Sequence, residues 1–407
     1  MSTSKRIFPP PHRGLLWLLV LTLPAFGFWR RDREEPPPEP EPEPEEVEPA
    51  PLEVVPVTPL VPVVDALFPP GALPAIRLGP LPAGLPNASA QGCNACHPAA
   101  HDQWAASAHA GSWASEGFQE AVTDLGHAAC VSCHLPLDAQ RADEVVHDPE
   151  RPAVRTNPHY DPILHTEGVT CVTCHVRDGL VLAAKPVEGA PHPMGVAPDL
   201  GSSALCASCH QLTWPGADQP LYDTYGEWER SPHAQAGITC QDCHMGPGAG
   251  EVQAGARHDF AGPRARAVSV LVDLDRVALV RGGDALEVEI RLQNTGAGHA
   301  MPTGSPWRTI VLQTALVGPP AAEGADPLVV GATRTVLGRT LEEEPPWRTL
   351  EDTRLQPGGE RVVTWSPALD QDAPGGPWVL EVTLTDEVLG RADPAPFFER
   401  RIPLSVD

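Results

Sequence analysis

Residues 93–109 read CNACHPAAHDQWAASAH, and their first five residues form a C-x-x-C-H frame. The frame returns as Cys130–His134 (CVSCH), Cys171–His175 (CVTCH), Cys206–His210 (CASCH) and Cys240–His244 (CQDCH). These five frames use all ten cysteines of the 407-residue chain. A C-x-x-C pair alone fits a dithiol redox centre or half of a zinc site. Ten cysteines in an exported chain also fit a disulfide framework. None of these needs a histidine after every second cysteine. Histidine is 16 of 407 residues, so five such coincidences have a probability on the order of 10⁻⁷.

C-x-x-C-H is the attachment frame of c-type haem. Two thiols add to the vinyl groups, and the adjacent histidine becomes the proximal iron ligand. The sequence therefore predicts five covalent haems c. The thiols are Cys93, Cys96, Cys130, Cys133, Cys171, Cys174, Cys206, Cys209, Cys240 and Cys243, and the proximal ligands are His97, His134, His175, His210 and His244. About thirty residues per haem is too little polypeptide for an ordinary side-chain core. Short helices and long loops wrapped on cofactors are expected, with poor folding in their absence.

Two further patterns repeat. Trp104-Ala105-Ala106-Ser107-Ala108-His109 matches Trp228-Glu229-Arg230-Ser231-Pro232-His233, and Gly168-Val169-Thr170-Cys171 matches Gly237-Ile238-Thr239-Cys240. A duplicated haem-pair module follows, with His109 and His233 as equivalent candidates for the second axial position. His258, which closes the region, and His192, between two prolines, are further candidates, and His165 is another. His299 lies in Asn294-Thr295-Gly296-Ala297-Gly298-His299-Ala300-Met301-Pro302-Thr303-Gly304, which interrupts a β pattern. Its glycines permit close approach, so this loop is expected either to dock on the haem region and supply a ligand or to be a turn whose histidine caps its own backbone.

Around this centre the chain divides into four stretches. Residues 1–33 carry Lys5 and Arg6 before the apolar run Leu15-Leu16-Trp17-Leu18-Leu19-Val20-Leu21, a secretory signal. An uncleaved anchor is the alternative, since Arg30, Arg31 and Arg33 follow at once. Residues 34–86 are a Pro/Glu-rich disordered linker, because proline alternating with glutamate supports neither helix nor ladder. Residues 87–262 form the mainly α/irregular pentahaem domain. Residues 263–407 form an all-β sandwich, with strand-like runs at 267–274, 285–292, 307–317, 361–365, 378–384 and 397–406 between turn signals. The formal charge of −25 argues against nucleic acid and anionic membrane surfaces as partners and suits docking on basic patches of redox proteins.

The five frames, the two W-x-x-S-x-H-A motifs and the G-[VI]-T-C-x-x-C-H approaches resemble a bacterial multihaem cytochrome c family. Its relatives include the tetrahaem electron carrier of ammonia oxidisers, hydroxylamine oxidoreductases and pentahaem nitrite reductases. The resemblance covers about residues 87–262 and implies export to the periplasm, where such haems are attached. His258, in a His-x-Phe-x-Gly setting, resembles a distal ligand position of that family. The loop around His299 resembles one in β-domains that follow such modules. Two departures lower the enzyme reading. Pentahaem nitrite reductases usually carry lysine in place of the catalytic frame's histidine, whereas all five frames here end in histidine. Hydroxylamine oxidoreductases carry eight haems and a tyrosine crosslink, whereas this chain has only Tyr160, Tyr222 and Tyr225.

The expected activity is electron transfer through mostly bis-histidine haems. The expected partners are a membrane quinol-oxidising module on one side and a terminal reductase or outer-surface cytochrome on the other. The alternative is reduction or oxidation of a small nitrogen or sulfur oxyanion at one open haem. A third reading is a homo-oligomer joined through the sandwich, whose signature is His299 ligating a neighbour's haem.

Overall fold

The computed structural model describes residues 75–125, 127–146, 153–214, 216–246, 255–260, 270–279, 286–367, 376–388, 391–392 and 395–406. The secretory signal, residues 34–74 of the linker, His12 and His147 lie outside the described residues. What is described belongs to one unit that reaches from Pro56 to Asp407.

Residues 75–260 carry short helices: α1 (Ala90–Asn94), α2 (Pro98–Ala105), α3 (Glu116–Leu125), α4 (His127–His134), α5 (Pro162–Thr166), α6 (Cys171–His175), α7 (Ser203–His210), α8 (Thr224–Glu229), α9 (Pro232–Gln235) and α10 (Cys240–His244). Their starts are legible locally. Ser89, Asp161, Ser202, Ser231 and Thr239 each accept a backbone N–H of the first helical turn, which satisfies donors that the helix itself cannot. The hairpin β1 (Asp143–Val146)–β2 (Ala153–Thr156) follows the second frame. The small sheet β3 (Val176–Arg177), β4 (Leu180–Ala183), β5 (Met194–Val196) follows the third. Neither was expected of a mainly α/irregular region.

Order begins inside the stretch assigned to the linker. Ile76, Leu78 and Leu85 pack on the buried Leu137, Val172 and Val176, and the Ile76 N–H donates to Pro136 O at 2.8 Å. Here apolar side chains replace the Pro/Glu alternation, so burial can offset the entropy cost of ordering this stretch.

From residue 270 the chain is a β-domain. One sheet runs β12 (Glu360–Trp365), β7 (Leu286–Asn294), β6 (Val270–Leu279), all antiparallel. The other centres on β13 (Gly376–Val388), with β8 (Arg308–Gly318) on one side, followed by β9 (Leu328–Leu337). On the other side of β13 lie β14 (Arg391–Ala392) and β15 (Phe398–Val406). A separate hairpin joins β10 (Arg339–Leu341) and β11 (Thr349–Asp352). Val288, Ile290, Leu292 and Trp365 from one sheet share a single core with Ile310, Leu312, Leu316, Trp378, Leu380, Val382 and Leu384 from the other. This is sandwich packing, produced by period-2 alternation with one face inward.

The two halves are built differently. Among the described residues up to 260, the buried apolar side chains are Ala90, Leu135, Leu137, Leu164, Val172, Val176 and Leu221. That set is too small to close a region with five such frames on hydrophobic burial alone. Among the described residues the β-domain has one large contiguous core, whereas residues 75–260 have only the small cluster of Leu137, Val172 and Val176.

Candidate haem centres

Four of the five frames end a helix on their histidine. α6 and α10 are each one frame long, and α4 and α7 finish at His134 and His210. Cysteines three apart on a helix lie one above the other on one face, so both thiols of a frame can meet the edge of one planar ring. The first frame differs: α1 ends at Asn94, and His97 caps α2.

The histidine rings pair across the fold. His210 faces His109 with centroids 6.4 Å apart. His175 faces His258 at 6.1 Å, and His244 faces His299 at 6.2 Å with 19° between ring planes. Two imidazoles bound through nitrogen to one metal at about 2.0–2.1 Å have centroids about 6.4 Å apart. The third, fourth and fifth frames therefore each have a second imidazole at the separation that an iron between the rings requires, and these residues fit a six-coordinate haem. The alternative reading of His299 as a cap for its own turn is half right: its Nδ1–H donates to Ala300 O at 3.0 Å, and the ring still faces His244. That partner belongs to the same chain.

The other expected ligands are placed differently. His165 donates from Nδ1 to Gln140 O at 2.8 Å and packs edge-on against Trp113 and Tyr160. His192 and His233 each have a buried Nδ1 with no hydrogen-bond partner. Among the described residues no imidazole is in ring contact with His97, His134, His192 or His233; His134 instead stacks on Phe118 at 3.8 Å. The equivalence of His233 and His109 expected from the repeat thus holds for the backbone and fails for the rings.

Second partners orient several of these rings. Nδ1–H of His134 donates to Ser112 O (2.5 Å), of His175 to Leu182 O (2.8 Å) and of His244 to Phe260 O (3.2 Å). Such bonds set the tautomer that leaves Nε2 free for a metal. Burial holds His109 down at about 4, with the nearby His210, His134 and His244 adding to the shift. Burial likewise lowers His134, His210, His258 and His299. At neutral pH these rings are uncharged, the form that ligates iron.

The repeats coincide in three dimensions. The Trp104 indole N–H donates to Val169 O at 2.8 Å, and that of Trp228 donates to Ile238 O at 2.9 Å. The Val169 N–H returns to His109 O (3.0 Å), and the Ile238 N–H returns to His233 O (2.9 Å). Gly168 and Gly237 take positive φ, 58° and 74°, just before these turns, a conformation open to glycine at little cost. The frames approach one another through their cysteines: Cys93 lies beside Cys171, Cys133 beside Cys209 and Cys206 beside Cys240. Glu167, just before the third frame, accepts from Ser89 Oγ (2.5 Å) and Ala90 N (3.0 Å) beside the first. The Cys240 N–H donates to Ser203 Oγ (3.0 Å), which joins the fifth frame to the fourth.

Sequence reasoning missed the polar contacts that hold His258 and the His299 loop. Gln103 Oε1 accepts the His258 backbone N–H at 2.9 Å. Glu227, 5% exposed, accepts from Ala300 N (3.0 Å), Thr303 Oγ1 (2.9 Å) and Arg354 Nη1 (2.7 Å). The signal was present, since both residues immediately precede a motif tryptophan. Phe260, in T-shaped contact with His109 at 4.2 Å, was also missed.

The fold is shared with a solved structure. A penta-heme cytochrome c552 from Thermochromatium tepidum superposes with a TM-score of 0.55 at 18% identity, over 78% of this chain and 98% of that one. At this identity the likeness establishes the fold. β-Glucosidases from Streptomyces venezuelae and Thermotoga neapolitana align with 33% of the chain, and 15% and 16% of their own, at 15% and 18% identity. Their TM-scores of 0.18 and 0.17 carry no argument. No family model matches the chain, and no curated protein matches it.

Proposed function

We propose that this protein is an exported pentahaem c-type cytochrome that carries electrons between redox partners. The observation that carries the reading is the opposition of His210 and His109, His175 and His258, and His244 and His299 at 6.1–6.4 Å above frames built to anchor haem. The likeness to a penta-heme cytochrome supports the same count. Bound haem supplies one-electron redox chemistry. The chain's own contribution is ligand identity, burial and charge around each centre, which set the potentials. Cysteines of the first and third, second and fourth, and fourth and fifth frames lie beside one another. His109, on the first repeat, faces the fourth frame's His210 and joins the two groups into one connected set.

The finer placement, among relatives of the ammonia-oxidiser tetrahaem cytochrome, rests on the two W-x-x-S-x-H repeats. The periplasm is the proposed location, from the apolar N-terminal run and the compartment in which such haems are attached. The proposed partners are a membrane quinol-oxidising module and a terminal reductase or outer-surface cytochrome, docking on an acidic surface. One observation favours the second reading, an oxidoreductase of a small nitrogen or sulfur oxyanion. His97 and His134 have no opposing imidazole among the described residues, and an open iron at either position would admit a substrate.

Mass spectrometry of the purified holoprotein should give the chain plus five haems. The protein reduced with titanium(III) citrate is then mixed with nitrite or sulfite under excess reductant. The carrier reading expects at most stoichiometric oxidation. Sustained turnover of either would replace it with the oxidoreductase.

A further inference from the structure

We infer that Gln103 and Glu227, the residues immediately before the two motif tryptophans, are the positioning residues for the distal ligands His258 and His299. This rests on reading those histidines as axial ligands. The two contacts are equivalent within the repeat. Trp104 and Trp228 each bond the carbonyl two residues ahead of a haem frame, the third and the fifth. The side chain one residue earlier then reaches across the fold and accepts a backbone N–H from the segment that carries that same haem's second histidine. Gln103 accepts from His258 itself, and Glu227 accepts from Ala300, next to His299. Each repeat thus clamps, from one helical turn, both the frame and the distal loop of one haem.

The second clamp is the more elaborate, because its loop comes from the β-domain. The loop joins β7 to β8, and Asn294, 1% exposed, holds it on its own side. The Asn294 amide donates to His299 O (2.8 Å) and Leu355 O (3.2 Å), while its Oδ1 accepts from Ala297 N (3.0 Å). Gly298 meets the haem region with no room to spare: a Cβ there would lie 3.2 Å from His233 Cβ and Trp228 Cδ1. Both backbone polar groups of Ala300 are held. Its N–H goes to Glu227, and its carbonyl accepts from His299 Nδ1 (3.0 Å). Glu227 therefore orients the imidazole through one intervening residue, leaving Nε2 directed away from that bond, the second-partner arrangement that tunes metal ligands. Arg354 compensates the buried carboxylate and is itself held in a two-pronged pair by Asp352 (2.9 and 2.7 Å). Thr224 and Thr303 hydroxyls close the junction at 2.9 Å. Coordination of the fifth haem is thereby conditional on docking of the β-domain, whereas coordination of the third depends on Gln103.

The test is carbon monoxide uptake by the fully reduced holoprotein, counted per chain relative to wild type, with the ferric high-spin EPR signal as a second readout. His299→Ala and His258→Ala should each add one CO per chain. If neither does, the ligand assignment and the inference fall together. Given those gains, Glu227→Ala should add close to one CO and Glu227→Gln a smaller fraction, because the amide keeps an acceptor and loses the pair with Arg354. Gln103→Ala should add up to one CO and Gln103→Glu, which keeps the acceptor, none. Added imidazole should return the low-spin signal of Glu227→Ala. If the histidine variants open an iron while Glu227→Ala and Gln103→Ala leave CO uptake and the EPR spectrum at wild-type values, the positioning role is refuted and the ligand assignment stands. If Glu227→Ala fails to accumulate as holoprotein, Glu227→Gln decides: zero added CO overturns the role at that position.

Discussion

His109→Ala and His233→Ala separate what the sequence treats as the same. Both residues end a W-x-x-S-x-H motif, and their backbones are held by matching bonds. Of the two, among the described residues, His109 faces another imidazole, that of His210, at 6.4 Å, and His233 faces none. An iron midway would sit about 3.2 Å from each ring centre, a metal–nitrogen distance of about 2.0–2.1 Å. Removing the imidazole leaves a ring-sized gap above one iron, bordered by Phe260 at 4.2 Å. Among the described residues no second histidine ring is in contact with His210 to fill it. The expected change is therefore one additional CO per reduced chain, a fifth of the haems, with a matching high-spin ferric signal. His233→Ala should add none. The assay is CO titration by visible spectroscopy on holoprotein of verified haem content. An unchanged uptake in His109→Ala would refute the ring-separation argument. A gain of one in His233→Ala would show that the repeat, and not ring opposition, identifies the ligands.

Further outcomes bear on the scaffold. Asn294→Ala strands two buried carbonyls and one N–H in the His299 loop and should cost about 1–3 kcal/mol for the groups left unpaired, measured by denaturant unfolding of the β-domain. Gly318→Ala would drive a Cβ to 2.5–2.6 Å from the ring of the fully buried Trp378 and should cost about 1–3 kcal/mol by overpacking. Gly117→Ala, on α3 with nothing within 4 Å, should gain about 0.5–1 kcal/mol. Burial raises the Asp352 carboxyl, but the bonds from Arg354 outweigh it, and the net shift is downward. A depressed native value means that the contribution is complete above the unfolded value of about 3.9 and is lost as pH falls through the native one. β-domain stability should therefore fall in that acid window, and Asp352→Asn should flatten the fall.

The parts of this molecule that were legible in sequence are those governed by local rules. The C-x-x-C-H frames declare their helices because i, i+3 cysteines and a Ser or Thr cap are short-range signals, and α6 and α10 coincide with their frames residue for residue. The six strand-like runs correspond to β6, β7, β8, β12, β13 and β15, because one inward face imposes alternation. β9 was hidden: its middle holds Gly331 and Arg334, and much of it is exposed, so burial writes no alternation into it. Ligand choice was legible only in part, because it depends on which loops meet. His258 and His299 stand 83 and 55 residues from the frame histidines they face, and sequence spacing carries no record of such contacts. His109 and His233 show the limit most directly. An identical local motif gives an identical turn, while the ring's partner is set by the next haem frame in space. For His109 that frame is the fourth, and for His233 no frame histidine is in ring contact among the described residues. Gln103 and Glu227 point the other way. They differ in charge and bond different loops, yet both act from the same place in the repeat. An offset of one residue from a motif tryptophan is a signal that sequence comparison of the two copies contains, once the bonds reveal what that position does.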